Sequence, residues 1–183
     1  MGADAVLEAA TVRLRPVKVS DLPLLVRWAN DRDVRHWLHR SERPPSTLES
    51  ERERLRDRTW AEWCIEAADG RAIGLVRLRG IEDSQGCAEL AIVIGEKGCW
   101  GRGYGTDAIR LVLRHAFGEL GLRRVWLITD ADNLRGQRCF EKCGFVPEAL
   151  LRGHRLRYGQ PLDMIAMGVL RDDWAPLRSE GGD

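Results

Sequence analysis

The chain lacks several things, and each lack excludes a class of protein. No apolar run approaches the roughly 20 residues of a membrane-crossing helix, so no transmembrane protein is expected. No charge of one sign dominates: 29 basic residues stand against 28 acidic ones, a net of +1. A nucleic-acid binder needs a basic surplus on some face, so none is expected as a partner. Lysine is scarce. Lys18, Lys97 and Lys142 stand against 26 arginines, which reads as genome composition before function. The five cysteines, Cys64, Cys87, Cys99, Cys139 and Cys143, form no Cys-x-x-Cys pair. Cys139 and Cys143 lie one helical turn apart, but no second pair completes a zinc site, and no metal is expected. Their odd number, behind an N-terminus without signal-peptide character, points to reduced thiols in the cytoplasm. Val6 stands where a myristoylation signal needs Ser or Thr.

Hydrophobic residues make up 44% and charged residues 31% of 183, which suits one globular domain with its core over 11–174. Alternation over Thr11–Arg15 ahead of Pro16 predicts a strand. Ser20-Asp21 caps a helix carrying Leu22, Leu25, Val26 and Ala29, and Val34–His39 reads as a further turn of helix. A charged helix follows from Leu48 to Asp57. Strands are expected over Trp60–Ala68, Ala72–Arg79, Glu89–Ile94, Arg124–Thr129, Phe145–Leu151 and Leu162–Leu170. Amphipathic spacing places one helix behind Thr106, with Ala108, Ile109, Val112, Leu113, Ala116 and Phe117 on one face, and another from Asn133 to Cys143. Glu89–Thr129 is therefore a strand–helix–strand unit, which joins parallel strands.

Between that strand and its helix runs Trp100-Gly101-Arg102-Gly103-Tyr104-Gly105-Thr106. The first N–H groups of a helix lack internal partners and carry partial positive charge, so a glycine loop at that point is built to hold a phosphate. Arg102 can add a charged contact. Three ligand classes compete. A nucleotide-triphosphate loop would need Lys before Thr106 and has glycine there. A dinucleotide loop finds Gly101 and Gly103 but Thr106 in place of its third glycine, and the chain lacks the further strand–helix repeats that fold requires.

The third class rests on a resemblance. Ile92-Val93-Ile94, the loop Trp100–Thr106, and Asn133 followed by Cys139-Phe140-Glu141-Lys142-Cys143-Gly144-Phe145 resemble the GNAT superfamily of acetyl-CoA-dependent N-acetyltransferases. The chain is most similar to the ribosomal-protein and spermidine acetyltransferase branch, and Asn133–Lys142 is similar to aminoglycoside 6′-N-acetyltransferases. The resemblance implies an α/β fold: a mixed, mostly antiparallel seven-stranded sheet flanked by about four helices, with splayed parallel central strands. It implies acetyl-CoA as cosubstrate. Ile92, Val93 and Ile94 would offer backbone groups to pantetheine, and the amides of Gly101–Thr106 would cradle the pyrophosphate. Asn133, Phe140 and Lys142 would line its path. Two residues depart from the family pattern. Trp100 stands where Gln or Arg is common, and Phe140 where a Tyr is often assigned to protonate the leaving thiolate.

An aliphatic ammonium, with pKa of about 10.4, must lose a proton before it can attack a thioester. Glu89, the only charge in its strand, is the candidate acceptor of that proton, and its plain alternative is a strand-end carboxylate paired with Arg. Glu89 and Asn133 are thus the candidate catalytic residues. Trp37, His39, Glu42 and Asp130 are candidates for the acceptor side. The acceptor class stays open among a peptide N-terminus, a polyamine, an aminoglycoside and an amino-sugar. A catalytically silent acyl-CoA-binding module is the alternative that Phe140 raises. The resemblance also leaves room for a homodimer.

Overall fold

The computed structural model describes residues 5–38, 41–56, 60–81 and 84–174. Their strands form a single mixed sheet: β1 (Leu7–Glu8), β2 (Val12–Pro16), β3 (Trp60–Ala67), β4 (Ala72–Arg79), β5 (Cys87–Ile94), β6 (Arg124–Asp130), β7 (Val146–Arg157) and β8 (Gln160–Leu170). Their spatial order is β1-β2-β3-β4-β5-β6-β8-β7. Every neighbouring pair is antiparallel except β5 with β6, which the α-helical crossover makes parallel. The helices are α1 (Leu22–Asn30), α2 (Arg32–Trp37), α3 (Leu48–Arg56), α4 (Tyr104–Gly118) and α5 (Leu134–Glu141).

The periodicity predicts seven strands and four helices; the described residues hold eight and five. The extra strand is two residues long, too short for any period to register, and is defined by Leu7 pairing with Leu14. The extra helix is the turn expected near Val34. Asp31 ends α1 and at the same time caps α2, accepting from the N–H groups of Asp33 (2.9 Å) and Val34 (3.2 Å). β7 runs six residues beyond its expected end at Leu151, because β8 supplies partners up to the tight turn at Tyr158-Gly159.

Alternation of side chains across the sheet separates two cores. Trp63, Ile65, Val76, Leu78, Leu90, Val125 and Leu127 pack with the apolar stripe of α4. Burying each of that stripe's large side chains contributes about 1.5–3 kcal/mol. On the opposite face, Cys64, Leu75 and Val93 pack with Leu25 and Trp28 of α1 and Val34 of α2. Among the described residues no helix is long and apolar enough to cross a membrane.

The feature that positions the site is where β5 and β6 part. They pair over only three positions, Cys87 with Arg124, Ala88 with Val125 and Glu89 with Trp126. β5 then continues to Ile94 and β6 to Asp130 without pairing with each other. Although Leu90 to Ile94 are apolar throughout, Ala91 to Ile94 are only half-buried, because they border the opening.

Candidate active site

The parting strands open a cleft of about 730 Å³ that passes from one face of the sheet to the other. Its edge on β5 is a row of peptide groups. Gly95 N–H donates to the Ile73 carbonyl at 2.8 Å, and β4 and β5 keep their register without a shift. The alternation of an antiparallel ladder then turns the peptide groups of Leu75, Arg77 and Arg79 toward Val93, Ala91 and Glu89. Those of Ile92 and Ile94 point into the cleft. Of the three residues expected to offer backbone groups, Val93 is therefore corrected: its N–H and C=O serve the ladder to Leu75. The Ile94 carbonyl is also taken, accepting from the Trp100 indole N–H at 2.7 Å. Arg135 lies over the Trp100 ring at 4.2 Å. The residue that departs from the family pattern is thus a lid on the strand end.

On the α4–α5 face sits the glycine loop. Gly101 and Gly103 adopt φ of +73° and +87°, which side-chain-bearing residues rarely do, and a Cβ on either would meet nothing within 4 Å. Gly103 is the N-cap of α4, and the first helical bond runs from Asp107 N–H to the Gly103 carbonyl. The N–H groups of Tyr104, Gly105 and Thr106 are left facing outward with the positive end of a 15-residue helix behind them. Arg102 is exposed beside the Tyr104 ring, and Arg138 and Lys142 of the following helical segment line the cleft nearby. This is an anion cradle lined with cations.

Cys139 lies in the same place. Its Sγ is 3.3 Å from the Thr106 hydroxyl, and the Cys143 thiol reaches the Thr106 carbonyl at 3.6 Å. The neighbouring Cys143 thiol, helped by Thr106 and by the charges of Lys142 and Arg110, holds the Cys139 thiol below the ordinary range against the effect of burial. The closeness of Cys139, with burial, pushes Cys143 up.

On the α1–α2 face the cleft is walled by side chains. Register puts Glu89, Trp126 and Asp130 on one face of the sheet. Glu89 is half-buried at the root of the parting strands and pairs with Arg79 at 3.7 Å. Trp37 lines the same end, held edge-on by His36 (4.5 Å) with Arg157 over its ring (5.3 Å). Two acceptor-side expectations need correction. Asp130 is 1% exposed and spans Arg155 (2.9 Å) and Arg157 (2.7 Å), so its carboxylate serves two side chains of β7 before any substrate. Glu42 is exposed and accepts the Gly159 N–H at 3.2 Å, bracing the β7–β8 turn from outside the cleft lining. His39 lies outside the described residues.

Asn133 borders the cleft, but both ends of its carboxamide are engaged. Its oxygen accepts the Gly136 N–H (3.0 Å) and its nitrogen donates to Thr129 (3.3 Å). It therefore caps and positions α5, with one N–H and one lone pair of the carboxamide left over at the cleft edge. Phe140 lines the cleft with its ring against Phe145 at 6.1 Å, and it has no proton to give. Arg77, His154 and Arg155 also line the cleft and were missed. Arg77 sits in an ordinary strand; His154 lies within, and Arg155 at the end of, an irregularity in β7 that no periodicity reveals.

Residues 11–146 match the family model described as acetyltransferase (GNAT) domain. Spermidine N(1)-acetyltransferase of Escherichia coli K12 is 27% identical over 168 residues, 91% of this chain and 89% of that protein. The crystal structure of spermidine N-acetyltransferase from Vibrio cholerae in complex with CoA and spermine superposes with a TM-score of 0.82 at 25% identity, covering 90% of this chain and 98% of that one. A GNAT-family acetyltransferase structure from Bacillus anthracis, at 16% identity and a TM-score of 0.80, shares the fold over 92% of this chain and 99% of its own.

Proposed function

From the premise that this chain belongs to the GNAT acetyltransferase family, we propose that it transfers acetyl from acetyl-CoA to a primary amine by direct attack within the β5–β6 cleft, Glu89 taking the amine proton. The chain is an acetyl-CoA-dependent N-acetyltransferase. The observation that carries the residue-level reading is the cleft's passage through the sheet, with a phosphate cradle on one face and a carboxylate at the root of the other.

The residues present fit the cosubstrate. Open space stands where Cβ atoms of Gly101 and Gly103 would be, so a pyrophosphate can reach the helix amides. Ile92 can extend the ladder to an amide-bearing chain, as an added strand would. Bound acetyl-CoA supplies the thioester carbonyl that the amine attacks. Within the cleft, Arg138 and Lys142 balance phosphate charge. Glu89, directly or through a water, accepts the proton that the ammonium must shed. Asn133 keeps the start of α5 in place, and Phe140 walls the cleft. A thiolate is a tolerable leaving group near neutral pH, given a reference pKa of about 8.5, and Phe140 leaves it without a side-chain acid at that position.

Release of CoA thiol over a panel of amines tests this. Relatives named for spermidine support including polyamines, beside peptides with free N-termini, aminoglycosides and amino-sugars. Saturable release is expected with one class. Glu89→Gln should lower kcat by roughly 10²–10⁴ while acetyl-CoA binding, measured by calorimetry, is unchanged. Unchanged turnover would remove Glu89 from the mechanism.

A further inference from the structure

The acceptor side of the cleft presents a particular set of charges. Among the described residues lining the whole cleft, Glu89 is the single carboxylate. On the α1–α2 face it is joined by Arg77 of β4 and by His154 and Arg155 of β7. The acids that balance the arginines stand behind them. Glu62, 3.7 Å from Arg77, and Asp130 are buried and do not line the cleft.

Arg155 is built into its place. β7 and β8 lose register between Leu151 and Arg155, and Gly153 N–H donates to Asp163 at 2.7 Å. Such an irregularity re-aims the side chains that follow it. Asp130 then holds the guanidinium, accepting a hydrogen bond from Nη2 (3.0 Å) and pairing by charge with Nε at 2.9 Å. Nη1 has no hydrogen-bond partner among the described residues, and the side chain, 12% exposed, borders the cleft. Asp130, which is buried, and Asp132, which is exposed outside the cleft lining, also pair with Arg157, at 2.7 Å each. A polycationic acceptor would meet guanidinium groups here with one carboxylate to balance several ammoniums. An acceptor with an amine at Glu89 and an anion at Arg155 satisfies both groups. Outside the cleft lining, the β7–β8 turn is braced by Glu42, which accepts the Gly159 N–H, and by His36 against Tyr158 at 6.0 Å.

We infer that the acceptor is a small amine that also carries a carboxylate, its amine at Glu89 and its carboxylate on the Nη1 side of Arg155. This rests on the acetyl-transfer reading of the cleft. Matched acceptors test it: γ-aminobutyrate against putrescine, and δ-aminovalerate against cadaverine, which exchange one carboxylate for one ammonium. The wild-type enzyme should favour the carboxylate member in kcat/KM by about tenfold or more, the scale of a charge-assisted hydrogen bond. Arg155→Gln should erase that preference through the KM of the carboxylate member, with CoA binding by calorimetry reporting an intact fold. Equal or greater turnover of the diamine by wild type overturns the inference whether or not the variant folds. So does acetylation of other panel amines with neither carboxylate accepted. Silence across every amine overturns the transfer reading itself.

Discussion

The two ends of the cleft are built by opposite means. The phosphate end is mostly peptide backbone, drawn from one stretch of chain, 100–106, and the first turn of the helix that follows. The acceptor end is entirely side chains, brought from α2, β4, β5 and β7, and each arginine there depends on an acid from a different strand. Backbone amides can hold an anion whatever side chains surround them, so on the proposed reading that end serves one cosubstrate. Side chains can be exchanged one at a time, so the other end can change its acceptor without disturbing the cradle.

The comparison breaks most sharply at the junction of the two ends. Gly95 follows the last residue of β5 and lies flat against Trp28 of α1, whose indole N–H donates to Glu96 at 2.8 Å. A Cβ on Gly95 would overlap that buried ring. Gly95→Ala should therefore cost on the order of 1–3 kcal/mol or more by overpacking, and lower the melting temperature by roughly 5 °C or more in calorimetry. It should also damage the acceptor end first, because Trp28 of α1 packs in one cluster with Val34 of α2.

Gly103→Ala tests the other end and should separate binding from stability. Its Cβ meets nothing, so the cost to folding is the left-handed φ alone, about 1–2 kcal/mol. The expected signature is a roughly tenfold or larger rise in acetyl-CoA KM, from obstruction of the cradle. An unchanged KM would mean that the loop does not hold phosphate.

Phe140→Tyr should change less. If the thiolate leaves without an acid, the gain in kcat stays far below the roughly 10²-fold that a missing proton donor would return. Single-turnover rates at several pH values would reveal a larger gain.

The smallest effect concerns the clamp between the ends. Lys97, just before the glycine loop, pairs with Asp31 (2.9 Å) and Asp33 (2.7 Å) at the start of α2. Lys97 holds the Asp31 carboxyl below the usual range, with the Val34 and Asp33 N–H groups helping. A lowered folded pKa stabilises the fold above the unfolded value, about 3.9, and that contribution disappears as pH falls through the folded value. Asp31→Asn keeps the cap and removes the charge. It should lower the melting temperature slightly at pH 7, less in high salt, and not at all well below pH 4.

Much of the phosphate end was legible because its signals are local. Glycines at 101, 103 and 105, a preceding apolar strand and a 3.6-residue stripe behind them are adjacent in sequence, and each has a short-range physical cause. Glu89 stands out in the sequence as the lone charge of its apolar segment, and the structure places it at the root of the parting strands beside Arg79. The acceptor end was not legible. Asp130 reads as a strand-end carboxylate, and nothing near it in sequence announces Arg155 and Arg157, some 25 residues on. Arg155 faces the cleft only because β7 slips its register against β8.

The sequence by itself determined most of the elements, the parallel crossover and the glycine loop at the start of α4, since periodicity, turn chemistry and helix ends act over a few residues. Tertiary structure alone decided which strands part and after how many pairs, which peptide groups face the opening, and which buried acids aim which arginines. Those depend on register between strands distant in the chain, and a shift of one residue would turn every such side chain to the other face of the sheet.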